Sequence, residues 1–97
     1  MNLPSDHRAI ALFLDMMAAE RGAAANTIAA YRRDLAQASE ALSAGLAAAD
    51  ARTLERLIHE WRDLAATSLA RKLSAVRRFF AFLVSEGLRP DNPAGDL

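Results

Sequence analysis

Four runs of apolar residues recur at the spacing of one helix face, and residues that start or stop helices stand between them. That pattern restricts the chain to a helical bundle. Ile10, Phe13, Leu14 and Met17 follow the i, i+3, i+4, i+7 rule behind Pro4-Ser5-Asp6, and Gly22 offers a left-handed stop. Ile28, Tyr31, Leu35, Ala38 and Leu42 trace a second stripe between the candidate cap Asn26 and Gly45. Asp50 is placed to cap a third run carrying Leu54, Leu57, Ile58 and Trp61. Thr67 or Ser68 opens the fourth, where Leu69, Leu73, Val76, Phe80, Leu83 and Val84 align ahead of Gly87. No segment alternates with period two, and no Asn-Gly or Asp-Gly hairpin signal occurs. The expected fold class is all-α, with helices at about 6–21, 27–44, 51–64 and 68–86 around one core. Residues 1–87 are expected to form the domain. Residues 88–97, with two Pro and one Gly, read as a tail or linker.

Composition narrows the chemistry. At 97 residues the chain suits one domain, and 23 of those residues are Ala, so large core formers are few. Without cysteine, disulfides and thiolate metal sites are excluded. His7 and His59 have neither metal-ligand nor triad spacing, the acid pair Glu55 and Glu60 reads as a solvated helix face, and no Gly-rich phosphate loop occurs. No catalytic residue, metal or cofactor is expected. The apolar runs are too short or too polar to span a bilayer, and the start MNLPSDHR lacks a signal-peptide pattern, so a cytoplasmic location is expected.

The formal net charge is zero, but the charge is unevenly placed. Residues 65–85 carry Arg71, Lys72, Arg77 and Arg78 and no acid, a sum of +4. At about 100° per residue from Leu69, the apolar stripe lies near 0°, with Arg71, Ser74 and Arg78 on the far side. Lys72 and Arg77 flank the stripe and are expected to snorkel outward. A face of small residues edged by arginine suits close approach to a polyanion, because guanidinium forks fit phosphate and guanine edges. Phe82 falls beside that face, away from the stripe, and is expected to be covered by another helix, the alternative being that it awaits a partner.

The fourth run, SLARKLSAVRRFFAFLVSEGL followed by DNP, resembles the fourth helix of the N-terminal core-binding (SAM-like) domain of tyrosine recombinases, of the Xer type and related phage integrases. The matching residues are Ser68, Leu69, Lys72, Leu73, Ser74, Ala75, Val76, Arg77 and the pair Phe79-Phe80. In the second run, Thr27, Tyr31, Asp34 and Leu35 match the family's Thr-x-x-x-Tyr-x-x-Asp-Leu signature, and PDNPAGDL looks like its approach to the interdomain linker. The resemblance covers roughly residues 7–97. It implies a compact orthogonal four-helix bundle whose second and fourth helices clamp duplex DNA. Thr27 and Ser68 would contact phosphate at helix starts. Arg71 would sit in the groove, with Lys72 and Arg77 on backbone or rim.

Ser74 and Arg78 join that DNA-facing set from their wheel positions. The groove positions Ala29 and Ala30 are small, so Arg33, one turn on, is the nearest residue able to compensate. The resemblance further implies that the recombinase chemistry lies in a separate C-terminal domain, so this chain is not expected to be an enzyme by itself. Expected partners are double-stranded DNA, that catalytic domain and other recombinase protomers, with no membrane, and the isolated domain is expected to be monomeric. The parent's work would be chromosome dimer resolution or DNA integration. The alternative is a helical protein-interaction module that does not bind DNA, and a membrane-surface helix ranks last because its apolar face is needed for the core.

Overall fold

The computed structural model describes residues 3–20 and 22–97. Four helices follow one another: α1 (Asp6–Glu20), α2 (Ala25–Ala41), α3 (Ala51–Glu60) and α4 (Ala66–Ser85), with no strand among the described residues. The fold class expected from sequence is therefore observed. Helix ends move by a few residues, and each shift has a local cause. α2 starts at Ala25 because the alanine run before Asn26 is itself a strong helix former, which puts Asn26 inside the first turn and leaves Ala24 as a cap without a side-chain bond. It stops at Ala41, not 44, because Leu42 turns extended (φ −112°, ψ 118°). α3 ends at Glu60 and not at 64, with Arg62 closing the terminus by donating to the His59 carbonyl at 3.0 Å. α4 starts at Ala66, two residues before the expected position, again behind an alanine with no side-chain cap.

The Asp50 cap forms as expected, its Oδ1 accepting from Thr53 N at 2.8 Å. At the other end of the chain's longest helix, Gly87 sits at φ +70°. Leu88 N donates to Leu83 O at 2.9 Å and Gly87 N to Val84 O at 3.0 Å, the paired bonds of a Schellman stop.

The core is aromatic at its centre. Phe13 is fully buried, stacked on Tyr31 with centroids 6.5 Å apart, and it meets Phe79 at 5.9 Å and Phe82 at 5.7 Å. Phe82 is thus covered by α1, as expected. α1 packs on α2 and α4, and α2 packs on α4, while Leu54 and Leu57 of α3 complete the core. The loop between α2 and α3 is folded inward: Leu46, Ala47 and Ala49 are buried. Asp6 holds that loop, accepting from Leu46 N at 2.5 Å, Ala47 N at 2.9 Å and the Ser39 hydroxyl.

Residues 88–97 lie against the bundle. Arg89 is buried, donates from Nη1 to the Ala47 carbonyl at 2.8 Å, pairs with Asp91 at 2.9 Å and places its guanidinium 5.4 Å from the Phe80 ring centre. Ala94 is buried as well. No helix among the described residues is long and apolar enough to cross a membrane.

Candidate nucleic-acid interface

The buried face of α4 is not where a stripe drawn through Leu69 puts it. Lys72, Ala75, Val76, Phe79, Phe80, Phe82 and Leu83 are buried, whereas Leu69 and Leu73 are half-buried. These residues centre about 60° from Leu69 on the wheel, with Lys72 near the middle. Lys72 therefore does not snorkel outward. Its Nζ lies 3.2 Å from Asp34 Oδ1 and 2.9 Å from Gln37 Oε1, and 5.6 Å from the Trp61 ring centre. A lysine is tolerated at that depth because an anion, an amide oxygen and an aromatic face replace its water.

Asp34 is the hub. Its side chain is 4% exposed and accepts from Arg71 through Nε at 2.7 Å and Nη2 at 3.0 Å, as well as from Lys72. Burial pushes this carboxyl up, but the hydrogen bonds and charges of Arg71 and Lys72 outweigh it and hold Asp34 below the ordinary aspartate value. The same bonds raise the affinity of Arg71 for its proton. Arg71 keeps 40% of its side chain exposed, so it edges the outer face while being tied from behind. Next to it, the Ser74 and Tyr31 hydroxyls lie 2.9 Å apart.

Arg77 and Arg78 are exposed, as is Arg33 on α2, and none of the three has an ion-pair partner among the described residues. Ser74, Arg77 and Arg78 form one wall of a cleft of about 630 Å³ whose other wall includes Asn92 and Gly95. Thr27 is exposed and Ser68 half-buried, each in the first turn of its helix. The first intrahelical bonds run from Ile28 N to Ala24 O and from Leu69 N to Ala65 O, so the N–H groups of residues 25–27 and 66–68 stay open. Neither first turn contains an acid. Both termini thus present a partial positive charge and unused donors, a setting that favours anions. The cap expectations at Asn26 and Thr67 or Ser68 are corrected by this geometry, which leaves more donors free.

Among the described residues no three His, Asp or Glu side chains gather as a metal site would require. Sequence reasoning missed the Asp34 hub and the Arg89 clip. For Asp34 the signal was present, because it lies three residues after Tyr31 and beside Leu35, on the inward stripe of α2.

Comparison with known proteins identifies related chains. The family described as phage integrase, N-terminal SAM-like domain, matches residues 10–87. The chain is 58% identical to tyrosine recombinase XerC of Erythrobacter litoralis (strain HTCC2594), over 92% of this chain and 29% of the relative. It is 51% identical to tyrosine recombinase XerD of Brucella abortus biovar 1 (strain 9-941), over 92% of this chain and 30% of the relative. Tyrosine recombinase XerD of Bradyrhizobium diazoefficiens is 46% identical over 97% of this chain and 31% of the relative. The chain thus spans less than a third of the length of these curated relatives. No solved structure matches it. On the match over residues 10–87, and the identity to these recombinases along most of its length, the chain belongs to the phage integrase N-terminal SAM-like domain family.

Proposed function

We propose that this domain clamps duplex DNA through α2 and α4 and so positions a Xer-type tyrosine recombinase on its site. The observation that carries this reading is the outer surface of α4, where Arg77 and Arg78 are exposed without an ion-pair partner among the described residues, on the same helix as the exposed edge of Arg71. Thr27 and Ser68, with the open N–H groups around them, take phosphates and set register. Arg71 lies at the groove, Arg33, Arg77 and Arg78 supply the free cations, and Ser74 lines the same face. Lys72 contributes its field from beneath and makes no direct contact. The strand-exchange chemistry belongs to the remaining length of such a recombinase, acting with other protomers in the cytoplasm, in chromosome dimer resolution or in integration, without a metal or nucleotide cofactor.

Anisotropy of a labelled duplex of about 20 bp tests this across salt. Three free arginines predict log K falling against log salt with a slope of about −2.7, a loss of roughly 40-fold between about 50 and 200 mM. Binding that is absent at low salt, or indifferent to salt, contradicts the reading. A salt-indifferent complex with a protein would favour an interaction module instead.

A further inference from the structure

Two hydrogen-bonded rungs join α2 to α4 beneath the proposed DNA face. Tyr31 meets Ser74 in one, and Asp34 meets Arg71 in the other. Both partners of each helix are three residues apart and run in opposite chain order, so the rungs occupy successive turns and fix the register of the two helices. The second rung is a fork: Nε and Nη2 of Arg71 engage both carboxylate oxygens of Asp34, and Nη1 has no partner among the described residues. A carboxylate behind a DNA-facing arginine would ordinarily cancel its charge. Here Lys72 lies on the same carboxylate, so the cluster of Asp34, Arg71 and Lys72 sums to +1.

Resting on the DNA-binding reading above, we propose that Asp34 is a positioning residue for DNA engagement. It holds the Arg71 guanidinium in one orientation with a free edge outward, while Lys72 restores the charge that the carboxylate would remove. A preorganised arginine loses less freedom on binding than one that samples many rotamers, so the fork adds affinity at unchanged contact number.

The proposal opposes simple electrostatics in sign, and that makes it testable. Removing a negative charge from a DNA-facing surface by Asp34→Asn strengthens binding if charge alone matters. Positioning predicts that Asp34→Asn weakens binding of a mixed-sequence duplex by about five- to tenfold, similar to Arg71→Ala, with far-UV circular dichroism showing intact helices. It further predicts that the double variant Asp34→Asn/Arg71→Ala binds no more weakly than Arg71→Ala alone. Unchanged or tighter binding of Asp34→Asn overturns the proposal, as does a loss that persists in full without Arg71. Should Asp34→Asn fail to fold, Arg71→Lys decides: it keeps the charge and loses the fork, so positioning predicts a loss close to that of Arg71→Ala, and wild-type affinity refutes it. An unaltered chain that binds no duplex overturns the DNA reading and this inference together, whereas intact binding with an indifferent Asp34→Asn overturns this inference alone.

Discussion

Asp34 and Lys72 form a buried pair whose two members are not equivalent, and stability measurements on single variants expose the asymmetry. Asp34 bonds two cations, so Asp34→Asn leaves Lys72, only 9% exposed, without its anion and Arg71 without its fork. Breaking a fully buried pair in this way costs about 3–5 kcal/mol; the partial exposure of Arg71 brings the expectation to about 2–3 kcal/mol. Lys72→Met leaves Asp34 with both oxygens bound by Arg71 and sets an apolar chain of similar length against Trp61. Its cost is expected to stay within about 1 kcal/mol of zero. Urea unfolding followed by circular dichroism at neutral pH reads the difference. With a slope of about 1 kcal/mol per molar for a chain of this size, Asp34→Asn should lower the midpoint by about 2–3 M and Lys72→Met by under about 1 M. Equal losses, or a larger one for Lys72→Met, would refute the assignment of Asp34 as the hub.

Arg89→Ala strips the Ala47 carbonyl of its partner and uncovers Phe80, and should destabilise the fold by about 1.5–3 kcal/mol in a thermal melt; no change would mean that residues 88–97 do not hold to the bundle. Gly45→Ala forces a side chain onto a residue at φ +84°, with its Cβ 3.0 Å from Asp6 Oδ2, and should cost about 1–2 kcal/mol of urea stability, most of it absent from an Asp6→Ala background if the Asp6 contact dominates. The Asp34 carboxyl is depressed in the folded chain, so the stability it contributes is complete above the unfolded value near pH 4 and is lost as pH falls through the lower folded value. Urea midpoints should therefore drop more steeply below about pH 4 in the wild type than in Asp34→Asn, and parallel profiles would show that Asp34 carries no such linkage.

The number and order of helices were legible because apolar periodicity and glycine stops are local signals, and the Asp50 cap was legible because Thr53 lies one turn away. Other features depend on partners far along the chain. Asp34 meets Arg71 across 37 residues and Arg89 meets Ala47 across 42, separations that periodicity does not encode. The rotation of the α4 stripe shows the same limit. A stripe drawn through Leu69 and Leu73 leaves Lys72 on its flank, whereas the fold buries the lysine by giving it Asp34, Gln37 and Trp61. Of the candidate DNA contacts, Thr27, Arg33, Arg77 and Arg78 are exposed, Arg71 is half-exposed, and Ser68 and Ser74 are half-buried. Their roles rest on the proposal above.

The most direct measurement is a ¹H–¹⁵N NMR titration of the labelled chain with a short duplex, at low and then at physiological salt. Shifts should be confined to residues 25–33 and 66–78, together with the Arg71 Nε–H signal, all fading as salt rises. Shifts that centre on α1 or α3, or that persist unchanged in salt, would contradict the assignment of α2 and α4 as a DNA-clamping surface.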